Sequence, residues 1–497
     1  MRQPERAFRR TPKRRTRIRR ASRVVACLIA AIVTASVCDG VLAEDAKKDS
    51  GPNDKPSFLI IAPRNLAPSL EAFVAFRARE FDTRVEILEE AINGEPGIDD
   101  AERLKHHLFD AWRGGSAGYV LLVGDADVLP VRYMCLDRIT PEAFDYSFYP
   151  CDLYYADLAK ADGTFDDWNA QKGETPENEA VAFTPAGTSF HARYFGEVRG
   201  EKNKADPINF DGVDYRPEIA LSRWPVSTPE EVQTVAAKTI AYEDSLAKRT
   251  APSAAFIAVG GWIENRPSMD EWASMLAAPW SIEKRYWGGD AATQPTEAAI
   301  VDLLNKGTRL VVHSGHGNDD CWDQCIGTWS LGKIHNAGAT AVMISAGCST
   351  ARFATLPPYE PYTDWQGCEH AGTNAGQVFK IPPPAPACYQ RGRYNPTGLG
   401  EQLLRRGPDG AAAYIGCNTG SQPAGMSLAR GFVRAIATRS QKHEPARLGD
   451  CWSDAIREYY DAEGLATIKP DSGWYPPSIF FQGMKFMVFG DPTLRIR

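Results

Sequence analysis

Two short runs constrain this chain more than any other feature: Leu310-Val311-Val312-His313-Ser314-Gly315-His316-Gly317 and Ala341-Val342-Met343-Ile344-Ser345-Ala346-Gly347-Cys348. Each is an apolar stretch of strand length that breaks into glycine and small residues at one reactive side chain. Continuous apolar runs of that length suit strands buried on both faces of a parallel sheet. Open α/β sheets place their sites beyond the carboxyl ends of the strands. The two runs therefore predict neighbouring strands that bring His316 and Cys348 to one edge. Between them, Trp329-Ser330-Leu331-Gly332-Lys333-Ile334 followed by Asn336-Ala337-Gly338 reads as a helix with a glycine stop. That completes a right-handed strand, helix, strand crossover.

The residue types fit one chemistry. A thiol becomes a strong nucleophile only as the thiolate, so it needs an imidazole to take its proton and later return it to a leaving amine. Attack on a carbonyl builds negative charge on oxygen, which backbone N–H groups stabilise. Gly317 and the amide of Cys348 suit that oxyanion hole. His313 is a competing base, but a histidine inside a strand is more often a hydrogen-bonded core residue, and the Gly-rich turn follows His316 instead. Trp322, just after the histidine loop, either lines the cleft or is a buried aromatic anchor. Cys321 and Cys325 lack the second closely spaced ligand pair of a structural zinc site, which leaves a disulfide or two packed thiols.

These runs resemble the caspase-like cysteine peptidase clan, and in particular the gingipain-type peptidases (peptidase family C25). The likeness extends to Ser57-Phe58-Leu59-Ile60-Ile61-Ala62-Pro63, Tyr119-Val120-Leu121-Leu122-Val123-Gly124-Asp125, Pro217-Glu218-Ile219-Ala220-Leu221-Ser222-Arg223 and Val488-Phe489-Gly490-Asp491-Pro492-Thr493-Leu494. The resemblance implies an α/β fold of mostly parallel, caspase-like sheets flanked by helices. Two consecutive subdomains are expected, a first at 57–251 and a catalytic one at 252–497. It implies a cysteine endopeptidase that cleaves polypeptides through a thioester on Cys348, with His316 as base and acid. It also implies structural calcium held by Asp125, Asp214 and Glu218, ligands of the hard-oxygen type that calcium takes; no organic cofactor is implied. Glu264 is the candidate acid for orienting the histidine, because Gly260-Gly261-Trp262 stands where the family carries one. Asp270 lies near the position of the acid that binds a basic substrate side chain in arginine-cleaving members. Ser222 replaces a usual glycine, Ser345 replaces an acid before the nucleophile, and Asn418-Thr419-Gly420-Ser421 lacks the pocket tryptophan. These departures leave room for a catalytically silent secreted scaffold, or for a transpeptidase using the same acyl-enzyme.

A chain of 497 residues, 43% apolar and 24% charged, exceeds what one hydrophobic core usually supports. Arg and Lys crowd the first 23 positions, so the net charge of -7 understates the acidity of the body, which offers no nucleic-acid surface. That basic start, the apolar run 24–37 and Val41-Leu42-Ala43 read as a signal peptide at 1–43, followed by a polar lead-in at 44–56. The run is too short to span a membrane comfortably, so the mature protein is expected to be secreted or periplasmic and free of membrane. Outside the leader and Cys348, the cysteines are Cys135, Cys151, Cys321, Cys325, Cys368, Cys388, Cys417 and Cys451, an even set compatible with disulfides in an oxidising compartment. A polar stretch at 160–214 reads as a surface loop, and a Pro-rich one at 357–396 as a wall or cover of the cleft.

Overall fold

The computed structural model describes residues 55–136, 147–168, 195–197, 213–246, 248, 251–373, 383–468 and 482–497. The leader and most of the lead-in lie outside these residues.

Ten strands make one sheet: β1 (Ser57–Ala62), β2 (Asp82–Ile87), β3 (Tyr119–Val123), β4 (Ala220–Trp224), β5 (Ser253–Ala258), β6 (Ser281–Tyr286), β7 (Leu310–Ser314), β8 (Ala341–Ser345), β9 (Ala411–Cys417) and β10 (Phe486–Phe489). Their order across the sheet is β2-β1-β3-β4-β10-β9-β8-β7-β5-β6. Strands β1 to β4 are mutually parallel, and so are β5 to β9. Strand β10 is antiparallel to β9 and parallel to β4. The two blocks therefore run in opposite senses, with the last strand of the chain between them. This is the mostly parallel, helix-flanked α/β architecture expected from the sequence.

Alternation explains why the strands read as unbroken apolar runs. Phe58, Ile60, Leu121, Ile257, Val311 and Met343 enter the core on one face, while Leu59, Ile61, Val120, Phe256, Val312 and Ile344 enter the other. Both faces are covered, so neither parity of side chain can be polar. Helices α1 (Glu71–Arg77), α2 (Asp100–Arg113), α3 (Pro229–Leu246), α4 (Arg266–Met275), α5 (Glu297–Asn305), α6 (Leu399–Arg405), α7 (Gly425–Gln441) and α8 (Leu448–Ala462) supply that cover. Their starts follow local rules: Asp99 accepts the Glu102 N–H at 3.0 Å to cap α2, and Thr296 accepts the Ala299 N–H at 3.3 Å to cap α5.

Charged groups fasten the two blocks. Arg77 of α1, 1% exposed, donates from Nε to Asp491 at 2.6 Å and from Nη2 to Glu243 of α3 at 3.1 Å. Ser222, the residue that replaces a glycine of the motif, donates its hydroxyl to the Gly490 carbonyl at 2.7 Å and so ties β4 to the turn after β10.

The helix expected in the crossover between β7 and β8 is a 3-10 helix, Thr328–Lys333. Paired bridges Gly317 to Trp322 and Cys321 to Gly327 use the preceding residues and leave only a short segment for it. The stretch 160–214 is not wholly a loop: Phe195–Glu197 adds a strand to Tyr133–Leu136, and Trp168 is 1% exposed. The Pro-rich stretch, where described, leans on the first block, with Gln390 N–H donating to Ala126 at 2.8 Å and Asn395 Nδ2 to Asp125 at 3.0 Å. Those partners follow the carboxyl end of β3, the edge opposite to that of β8, so these residues do not wall Cys348.

Candidate active site

Register sets the site. On the adjacent parallel strands β7 and β8, His313 pairs with Ser345. His316 and Cys348 each stand three residues further on, so both emerge at the same edge of the sheet. The two loops touch there. A Cβ on Gly317 would lie 2.5 Å from Thr350 Cγ2 and 3.0 Å from the Cys348 carbonyl oxygen, so only glycine permits this approach. Cys348 is half-buried and His316 exposed.

Each reactive side chain is held by a backbone carbonyl. Nε2 of His316 lies 2.9 Å from the Gly261 oxygen, and the Cys348 thiol donates to the Ser421 oxygen at 3.4 Å. A carbonyl only accepts, so Nε2 of the neutral ring carries the proton and Nδ1 keeps its lone pair. Gly261, at φ +96°, occupies the left-handed region that favours glycine. Its loop is pinned by Asn265, whose buried Nδ2 donates to the Val259 carbonyl at 3.1 Å and to the Ser314 carbonyl at 2.9 Å. No hydrogen bond joins Cys348 to His316. The N–H groups of Gly317 and Cys348 have no protein acceptor among the described residues. Sequence reasoning missed Gly261, Ser421 and Asn265, because a backbone acceptor leaves no side-chain signature.

Behind the loops lies a buried polar layer. Ser345 Oγ accepts the Gly347 N–H at 3.1 Å and lies 2.9 Å from His313 Nδ1, so the serine that replaces an acid braces the backbone entering Cys348. His313 is stacked on Trp322 with ring centroids 4.3 Å apart, and Trp322 Nε1 donates to the Tyr414 hydroxyl at 2.8 Å. Both rings are fully buried, which makes His313 a core residue and Trp322 an anchor rather than a cleft wall. Burial pushes His313 down to about 3. A histidine held neutral in the fold but free to protonate in the unfolded chain withdraws stability as pH falls below its unfolded value of about 6.5. Urea unfolding at about pH 7.5 and pH 4.5 is expected to show a pH-dependent loss that is smaller in His313→Asn by about 2 kcal/mol. An equal loss in the variant removes His313 from the acid response.

The other candidates lie elsewhere. Glu264 is exposed and bound by Arg266 through Nε at 2.8 Å and Nη2 at 2.6 Å, so it does not orient His316. Arg266 holds Glu264 below the usual carboxylate range. Asp270 on α4 accepts from Lys284 at 2.6 Å and from the Tyr286 hydroxyl at 3.0 Å, both on the edge strand β6, and is thereby neutralised. The described cysteines are all free, and Cys321 and Cys325 turn to different acceptors, Asn318 Oδ1 at 3.3 Å and the Pro295 oxygen at 3.0 Å. Cys135 lies outside the described side chains.

The calcium set converges only in part: Asp214, which accepts the Arg216 N–H at 2.9 Å, lies within electrostatic reach of Glu218, whereas Asp125 stands apart. Asp125 follows the carboxyl end of β3, with its N–H on Val226, while Glu218 precedes the amino end of the adjacent parallel strand β4. The length of that strand, about 16 Å, separates them. Asp125 is buried against Asn395 and Arg405, and Glu218 accepts the N–H groups of Leu158 and Ala159 at 2.6 and 3.1 Å. Burial pushes Glu218 up to about 7. Lys105 lies within electrostatic reach of Glu218, fully buried with its ammonium 4.5 Å from the Tyr154 ring and 4.7 Å from the Trp168 ring. Among the described residues no group of three or more His, Cys, Asp or Glu is placed to hold a metal ion.

The mostly parallel, helix-flanked sheet is the caspase-like fold of the gingipain structures. The chain belongs to peptidase family C25, whose family model matches residues 51–497. Solved structures agree on the fold. The crystal structure of the Arg-specific cysteine proteinase gingipain R shares 16% identity over 90% of this chain and 79% of that one, with a TM-score of 0.54. A complex of Porphyromonas gingivalis RgpB pro- and mature domains shares 17% identity over 89% and 80%, with a TM-score of 0.52. No curated protein matches the sequence at a significant level. No helix among the described residues is long and apolar enough to cross a membrane.

Proposed function

We propose that the chain is an exported cysteine endopeptidase in which Cys348 is the nucleophile and His316 the general base and acid. The observation that carries this reading is the register of β7 and β8, which puts the two side chains at matching positions beyond a directly paired His313 and Ser345. In the proposed cycle Nδ1 of His316 takes the Cys348 proton, while the Gly261 carbonyl holds the Nε2 proton and steadies the imidazolium. The sulfur adds to the scissile carbonyl, and the N–H groups of Gly317 and Cys348 receive the oxyanion. Collapse expels the amine, which takes the proton from His316, and leaves a thioester on Cys348. Water then attacks that thioester, its proton passing to His316, and the acid product departs as Cys348 is released. The basic, apolar start of the chain supports export. Asp270, already paired with Lys284, gives no reason to expect cleavage after arginine.

An acyloxymethyl ketone peptide probe tests the assignment. Under reducing conditions, with and without calcium, the purified protein is expected to be labelled at one cysteine, and the label to vanish in Cys348→Ala. Labelling that survives this substitution, or its absence from the unsubstituted protein, overturns the proposal.

A further inference from the structure

The antiparallel strand β10 brings one more group to the edge that carries Cys348. Strand β9 ends at Cys417 opposite Phe486, the first residue of β10, so Lys485 sits beside the carboxyl end of β9. The Asn418 N–H donates to the Lys485 carbonyl at 2.8 Å, and the next turn, 419–421, is bonded to the nucleophile loop through the Ser349 N–H to Thr419 at 2.8 Å and the Cys348 thiol to Ser421 at 3.4 Å. Lys485 is only 8% exposed, and its ammonium lies 5.4 Å from the Tyr149 ring. Among the described residues no carboxylate pairs with it. The ring of Tyr149, on the strand Ser147–Pro150, touches it, and the Cys417 and Cys348 sulfurs lie within electrostatic reach of it. A buried ammonium without a counter-ion is costly, and an anion beside it relieves that cost. Of the two sulfurs, Cys417 is fully buried, and burial pushes its thiol up to about 12, so it stays protonated. Cys348 is the half-buried one.

We infer that Lys485 is a positioning residue for the nucleophile: its ammonium, held beside the turn that carries the nucleophile loop, supplies positive charge within reach of the Cys348 sulfur when the proton leaves for His316. The inference rests on the proposed role of Cys348 and adds to it a reason why a histidine lacking a carboxylate partner suffices. Alkylation of Cys348, followed by peptide mass mapping at neutral pH, reads the local charge without requiring proteolysis. Neutral iodoacetamide and anionic iodoacetate are compared, because a nearby cation favours the anionic reagent. Lys485→Met is expected to slow iodoacetamide about tenfold and iodoacetate by more, while Lys485→Arg keeps both rates near those of the unsubstituted protein. Thermal melts of each variant establish that it is folded. Equal rates and an unchanged reagent ratio in folded Lys485→Met overturn the inference, even where the peptide probe still labels Cys348. A Lys485→Met variant that alters only the preference among substrates with acidic side chains overturns it too. Should Lys485→Met not fold, the comparison passes to Lys485→Gln, for which the same slowing supports the role and unchanged rates end it.

Discussion

His316→Ala is expected to lower peptide hydrolysis by about four orders of magnitude, with little change in KM, while Glu264→Gln stays within about twofold of the unsubstituted rate. The contrast follows from who holds the imidazole. Glu264 is spent on Arg266 at the surface, so removing its charge affects an exposed pair of small worth. The ring of His316 instead relies on the Gly261 carbonyl, which no side-chain substitution removes. Loss of His316 leaves the thiol without a proton acceptor and the leaving amine without a donor, two failures on one pathway. Steady-state kinetics on a mixed peptide library, with each variant checked by thermal melt, measures both. A fall of a hundredfold or more in Glu264→Gln reinstates the acid as part of the site. A rate within tenfold of normal in His316→Ala removes the histidine from it.

That contrast also marks the limit of what was legible in the sequence. Strands β1, β3, β7 and β8 could be read because both of their faces are buried, which turns alternation into continuous apolar runs. His316 and Cys348 stood out because glycine follows or precedes them where the two loops must touch, as the crowding at Gly317 requires. The partner of His316 was illegible, since a carbonyl has no residue type. Position in sequence suggested Glu264, while a guanidinium two residues away claimed it. The separation of Asp125 from Glu218 was hidden for a topological reason: the two flank neighbouring parallel strands at opposite ends, and a one-dimensional motif does not carry that distance. Trp322 illustrates the same gap, because a cleft aromatic and a core aromatic look alike until His313 is found stacked against it. Lys485 gave no signal at all, being one lysine among many until β10 turned back beside β9.

Arg77→Met is expected to destabilise the protein by about 3–5 kcal/mol, the range seen when one partner of a buried ion pair is removed. Its guanidinium bridges Asp491 and Glu243, and all three side chains are at most 1% exposed. The bridge joins elements far apart in sequence: Arg77 ends α1 of the first block, Glu243 lies on α3, and Asp491 follows β10 at the seam between the blocks. Burial alone disfavours the guanidinium's charge, yet Asp491 and Glu243 overcome this and raise its pKa, so the charged form is the one the fold retains. Without Arg77 the two carboxylates respond unequally. Glu243 still accepts from Arg495 Nε at 2.8 Å, whereas Asp491 keeps only the N–H and hydroxyl of Thr493, at 2.8 and 2.7 Å. Asp491 is then the uncompensated charge, and Arg77→Met with Asp491→Asn is expected to recover part of the loss, a coupling that a double-mutant cycle in urea isolates. A single-variant loss under about 1 kcal/mol would show that water reaches Asp491 and that the seam is held by packing alone. Full additivity of the two substitutions would separate Arg77 from Asp491, and the seam would then rest on Ser222 and the β4 to β10 pairing.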